Sequence, residues 1–131
     1  MAVQYAVEQV REQEAPAYLT DEDAVLVQRY ILLGIVMLVL DHDIRVMGTG
    51  TVKLPRLYES LLRGIQDRVL LEQAALRLQF RRAGIKLVEE RRLKDGLETI
   101  YICRGSQERC YLPWSYLKAE SEQAIKQYFK S

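Results

Sequence analysis

The side chains best suited to chemistry are few in this 131-residue chain. The single histidine, His42, lies between Asp41 and Asp43. Imidazole and carboxylate groups bind metals, but adjacent side chains on a helix point apart, and the sequence offers no second cluster of ligands to complete a coordination shell. We therefore interpret residues 41–43 as a solvated helix end, and we predict neither a metal ion nor a cofactor.

The two cysteines, Cys103 and Cys110, flank a predicted turn between two strands. A nucleophilic cysteine needs a base such as histidine, and a zinc site would need two further ligands. Two hairpin cysteines can oxidise if they face each other, but the sequence leaves the strand register open. Because cytosolic thiols are kept reduced, we predict two reduced, partly buried cysteines. With no catalytic residue to assign, an enzyme is the less favoured class.

A cluster of basic side chains between residues 77 and 94 is the strongest functional lead. Residues 77–94 contain seven basic and two acidic side chains, a local net charge of +5, whereas the whole chain has a net charge of only +1. The candidate contacts with nucleic acid or a protein partner are Arg77, Arg81, Arg82, Lys86, Arg91, Arg92 and Lys94. Residues 1–25 have the opposite bias, a local net charge of −5. Complementarity within the chain or between subunits therefore explains the cluster as readily as an outside partner does.

The order of elements around the basic cluster is that of a winged helix-turn-helix. A first helix would be followed by helices near 55–63 and 65–82 and then by a hairpin whose cations contact phosphates. Against this, acids occur early in the supposed recognition helix, at Asp67 and Glu72, and its arginines lie at the end away from the bases. A DNA-binding regulator of this type is the alternative hypothesis, and protein–protein contact is the favoured one.

An apolar run from Tyr30 to Leu40 forms the centre of the predicted fold. A helix that is apolar all round must be buried all round, and polar residues on both sides make this run shorter than the about 20 residues that span a bilayer. We therefore predict a central core helix from Thr20 to about Leu40, not a membrane span. The residues expected to be buried are Leu33, Val36, Leu40 and Leu62.

The rest of the N-terminal half is predicted to be helical as well. Val3, Val7 and Val10 recur at helical spacing, which predicts a short amphipathic helix over 2–14 and a loosely attached segment over 1–16. Pro55 suits the first turn of a further helix that ends near Gly84. Within that helix, Gly64 either admits a close neighbour or divides the stretch into two helices.

The periodicity changes after Gly84. Strands are predicted over 85–93, 97–103 and 109–112. The first two are joined through Lys94-Asp95-Gly96, whose Asp-Gly pair is a hairpin signal, and the next two by a turn over 104–108; Pro113 is predicted to open a final helix. The fold class is therefore α+β, a single domain over 1–131. It has an N-terminal helical bundle around a central buried helix, a three-stranded antiparallel meander and a C-terminal helix.

Composition and termini complete the functional expectations. The chain is 49% hydrophobic and 28% charged, which is typical of a globular protein with one core. The first residues lack the pattern of a secretory signal, so a cytoplasmic location is expected. The sheet edges and the apolar central helix need cover, which predicts a homodimer that acts through protein–protein contacts without catalysis and without a membrane.

Overall fold

The computed structural model describes residues 21–130 and has the predicted α+β class. Two long helices form an antiparallel hairpin, a three-stranded antiparallel sheet follows, and a last helix returns to pack on the first. In chain order the elements are α1 (Asp21–Met47), α2 (Pro55–Ala83), β1 (Ile85–Arg92), β2 (Gly96–Cys103), β3 (Ser106–Pro113) and α3 (Trp114–Lys130). The predicted N-terminal helix over 2–14 lies outside the described residues.

Helix α1 is longer than predicted and is not buried on every side. Leu33, Val36 and Leu40 are at most 1% exposed, as predicted. However, Leu38 is 52% exposed and Val39 37% exposed, because α2 and α3 pack on this helix without enclosing it. The prediction of burial all round is therefore wrong, and so is the predicted end near Leu40, since α1 continues to Met47.

The apolar character of α1 also bears on membranes. Over Glu22–Met47 it is the one helix of the described part of the chain that is long and apolar enough to cross a bilayer. Half of its most apolar stretch is buried inside the fold. A core helix meets the same criterion of length and composition.

Helix α2 is continuous through Gly64, which corrects the expected division at that residue. A Cβ atom at Gly64 would meet no atom within 4 Å, so no close neighbour accounts for the glycine either. Pro55 occupies the first turn, and Gly84 ends the helix in the left-handed conformation at φ 73°, both as predicted. Ile65, Val69 and Leu76 of α2 are buried in the core, although Leu62 is half-buried where full burial was expected.

The sheet has the predicted meander order β1-β2-β3, but its second turn is tighter than predicted. Cys103 pairs with Ser106, so only Arg104 and Gly105 form the turn, with φ values of 48° and 86°. Two positive φ values are the signature of a type I′ turn, which matches the twist of a hairpin. As a result β3 begins at Ser106 and not at Arg109, and it includes Pro113, which was expected to open the last helix.

Arg104 adopts this uncommon backbone conformation because several contacts hold it. Its N–H donates to the carbonyl of Gly84 at 2.8 Å, and its guanidinium donates to the carbonyl of Ala83 at 3.0 Å. A second guanidinium nitrogen lies 2.7 Å from the buried carboxylate of Asp23. The turn is thereby fixed to the end of α2 and to the start of α1.

The core lies between the helical hairpin, the inner face of the sheet and α3. Leu97, Tyr101 and Leu112 of the sheet are buried against Leu117 of α3 and against the two long helices. Gly96 permits close packing of β2 on β3, since a Cβ there would lie 2.6 Å from the carbonyl oxygen of Leu112.

Candidate interaction surfaces

A groove of about 710 Å³ runs between α1 and α3. It exists because α3 covers only part of the side that α1 turns towards it, and because both helices place apolar residues there at intervals of three or four. The apolar walls are Ile35 and Val39 of α1 and Trp114, Leu117, Ile125 and Phe129 of α3. Four charged side chains also line it, namely Asp43, Lys118, Glu122 and Lys126. An apolar groove with a few charges suits an amphipathic helix.

Trp114 is held firmly where β3 passes into α3. Its indole N–H donates to the carbonyl of Leu93 at 2.9 Å, and the guanidinium of Arg92 lies 5.5 Å from the ring centroid. The backbone N–H of Trp114 also donates to the carbonyl of Asp95 at 3.1 Å. The only tryptophan of the chain is therefore a fixed reporter on the groove wall.

A second apolar surface lies where α1 and α2 are joined. Asp41 accepts a hydrogen bond of 3.0 Å from the side-chain amide of Gln66, which sets the last turns of α1 beside the first turns of α2. Beyond this contact, five large apolar side chains are 42% to 58% exposed, and we name them the hairpin surface: Val46, Leu54, Leu57, Tyr58 and Leu61. On α2 their spacing of three and four residues places them on one side.

A polar cluster joins the three helices. The guanidinium of Arg29 donates to both carboxylate oxygens of Glu72, at 2.6 and 3.0 Å, and the hydroxyl of Tyr128 donates to the same carboxylate at 2.5 Å. These hydrogen bonds, that of Arg29 above all, lower the pKa of Glu72. Burial, together with the Glu72 contact, raises the pKa of Tyr128 to about 12. The cluster links α1, α2 and α3 through hydrogen bonds to the Glu72 carboxylate.

Arg68 adds a further contact between α2 and α3. It donates to the carbonyl of Tyr128 at 2.6 Å and lies 5.4 Å from the centroid of its ring. The sequence carries no local signal for the cluster, because Arg29 and Glu72 are separated by 43 residues and Glu72 and Tyr128 by 56.

Three of the predicted basic contact residues lie at the β1–β2 hairpin, and we name Arg91, Arg92 and Lys94 the hairpin cations. Arg91 is paired with Glu89 at 2.7 Å and lies 3.7 Å from Glu98. Arg92 lies over Trp114 and points to the opposite face of the sheet from Arg91, because the side chains of neighbouring strand residues alternate between the two faces. The hairpin cations therefore do not form one continuous face.

The remaining basic residues lie near the end of α2 and the start of β1. Arg77 donates to the hydroxyl of Tyr30 at 3.2 Å, and Arg77 and Arg81 line a shallow pocket of about 260 Å³ together with Tyr30. Arg82 and Lys86 are exposed. The seven candidate contacts are thus distributed over several surfaces.

The cysteines and the histidine are not brought together. Cys103 pairs with Ser106 and Cys110 with Thr99, which separates the two cysteines by about 13 Å along the ladder, well beyond the reach of a disulfide. Both thiols are free and fully buried, and burial raises the pKa of Cys110 to about 12. His42 is exposed on α1, 3.1 Å from Asp43. Among residues 21–130, no group of three or more His, Cys, Asp or Glu side chains is placed to hold a metal ion.

The model of a family described as YhjD protein matches residues 18–131. The chain belongs to the YhjD protein family. The part shared with the family includes all six described elements, and with them the groove and the hairpin surface. No curated protein and no solved structure matches the chain.

Proposed function

We propose that this member of the YhjD protein family is a non-catalytic cytoplasmic protein that acts through protein–protein contacts as a homodimer. The observation that carries the proposal is the hairpin surface, where five large apolar side chains are grouped at one end of the molecule and exposed. Contiguous apolar patches of this kind mark interaction sites on soluble proteins.

The shape of this end of the molecule suits a symmetric dimer. Two antiparallel helical hairpins can pack on each other as a four-helix bundle, and a two-fold axis would place each hairpin surface against its own copy. The other side of α2 is polar at this level, where Arg63 and Glu59 form an exposed ion pair of 2.9 Å. This end of α2 is therefore amphipathic, with its apolar side uncovered, as expected of an interface helix.

A DNA-binding role of the winged helix-turn-helix type receives less support from the geometry. That motif needs two helices where the chain has the continuous helix α2. Its wing would need cations on one face, whereas Arg91 and Arg92 point to opposite faces of the sheet. Protein–protein contact remains the favoured function.

Matched substitutions on α2 test the proposed interface. Leu57 is 52% exposed and belongs to the hairpin surface, while Leu70 is 49% exposed and lies about 140° away around the helix axis. We expect Leu57→Lys to convert the dimer to a monomer of 15.2 kDa in light scattering, and Leu70→Lys to leave the dimer intact. A Leu57→Lys protein that stays dimeric would show that the interface lies elsewhere.

A further inference from the structure

We propose that the chain's own N-terminal segment, residues 2–14, occupies the groove between α1 and α3. The apolar side of this segment, Val3, Val7 and Val10, would pack on the apolar walls of the groove. The inference goes beyond the proposed dimer and does not depend on it, because the groove and the hairpin surface share no residue.

The residue pattern of the segment matches this kind of site. Apolar residues at positions i, i+4 and i+7 are the anchors by which an amphipathic helix lies in an apolar groove. The groove is lined by residues 35–43 of α1 and by residues 114–129 of α3, so a third helix can lie between these two stretches. Pro16 ends the pattern and leaves a short connection to the start of α1.

The segment is long enough to reach the groove. From Asp21, where α1 begins, Ile35 lies fourteen residues along the helix, about 21 Å at 1.5 Å per residue. Residues 15–20 span up to about 20 Å when extended, and a helix over 2–14 adds about 20 Å. The chain can therefore turn back beside α1 and place its valines at the level of Ile35 and Val39.

Charge and covalent attachment both favour this occupant. Glu8, Glu12 and Glu14 outnumber the single base of the segment, Arg11. Glu14 lies on the same side of such a helix as the valines, and Lys118, which lines the groove and makes no ion pair with another residue of the 21–130 region, is available to it. Attachment to α1 gives the segment an effective concentration on the order of millimolar, so that even a weak contact fills the groove.

Quenching of Trp114 fluorescence by acrylamide tests the proposal in the full chain. Val7→Glu places a charge on the apolar side of the segment, and Gln9→Glu makes the same change in charge on its opposite side. We expect Val7→Glu to raise the quenching constant about twofold as Trp114 becomes uncovered, with Gln9→Glu unchanged. A synthetic peptide of residues 1–20, added to the Val7→Glu protein, should restore the lower constant.

Other occupants give other results. Equal quenching in the parent and the Val7→Glu protein would overturn the proposal and leave the groove open to an outside partner. Protection of Trp114 that depends on protein concentration would overturn it in favour of a second copy. Sedimentation of the Val7→Glu protein distinguishes this inference from the proposed function, because this variant should remain a dimer. Its conversion to a monomer would place the segment at the subunit interface and overturn docking in the groove.

Discussion

Glu72 connects three helices through one carboxylate, so its replacement by glutamine should have a measurable cost. Glutamine keeps the size of the side chain but loses the charge that receives two hydrogen bonds from Arg29 and one from Tyr128. Hydrogen bonds to a charged group contribute roughly 1.5–3 kcal/mol when buried. The Arg29 and Glu72 side chains are 36% and 33% exposed, so solvent screens part of this contribution.

We therefore expect Glu72→Gln to lower the free energy of unfolding by about 1.5–2.5 kcal/mol and the melting temperature by about 5–10 °C. Urea unfolding followed by circular dichroism measures the first value, and calorimetry the second. Tyr128→Phe removes one of the three hydrogen bonds and should cost less, and the double variant should show coupling of about 1 kcal/mol between the two sites.

The same carboxylate predicts a dependence on pH. Its pKa is lower in the folded protein than in the unfolded chain, so the stabilisation is complete above the unfolded pKa and is lost as the pH falls through the folded one. The difference in stability between the parent and Glu72→Gln should thus shrink as the pH falls below about 4.3. A Glu72→Gln protein that melts within about 1 °C of the parent at neutral pH would refute this account of the cluster.

Three further predictions follow from burial and charge. Val36→Asp should abolish soluble folded protein, because an unpaired buried carboxylate costs more than about 4 kcal/mol. Leu38→Asp, on the exposed side of the same helix, should fold. Soluble expression and circular dichroism compare the two variants. Cys103 and Cys110 should react with a thiol reagent only as fast as the protein unfolds, and rapid labelling of the native protein would contradict their burial. Changing all hairpin cations to alanine should not alter the retention of duplex DNA at about 150 mM salt, where we expect no binding even by the parent; sequence-selective binding lost in that variant would favour the DNA-binding hypothesis.

Local patterns in the sequence were sufficient to predict the fold class. The hairpin between β1 and β2, the glycine after α2 and the buried positions of α1 each depend on neighbouring residues, and the structure has all three, although Gly96 belongs to β2 and the turn itself is Lys94-Asp95. The continuation of α1 through Asp41–Asp43 was missed because polar residues are tolerated on an exposed helix side. Because that side of α1 is exposed, the apolar run from Tyr30 to Leu40 is only partly buried.

Local sequence patterns could not predict features that depend on contacts between residues distant in the sequence. An arginine at positive φ is disfavoured by its own backbone, and only the contacts of Arg104 with the ends of α1 and α2 make the tight turn stable. The groove likewise depends on how α3 packs on α1, two helices that are distant in the sequence. The basic cluster was visible in the sequence, but the contact of Arg91 with Glu98 and that of Arg92 with Trp114 depend on how the strands pair and on where α3 begins.

Sedimentation equilibrium of the parent protein tests the central proposal, self-association, most directly. At about 10 µM, where a dimer with a micromolar dissociation constant is substantially formed, we expect an average mass approaching twice the 15.2 kDa of one chain. The mass should fall towards that of one chain on dilution. A mass of 15.2 kDa at every concentration up to about 100 µM would contradict the account, since the hairpin surface would then be uncovered in solution.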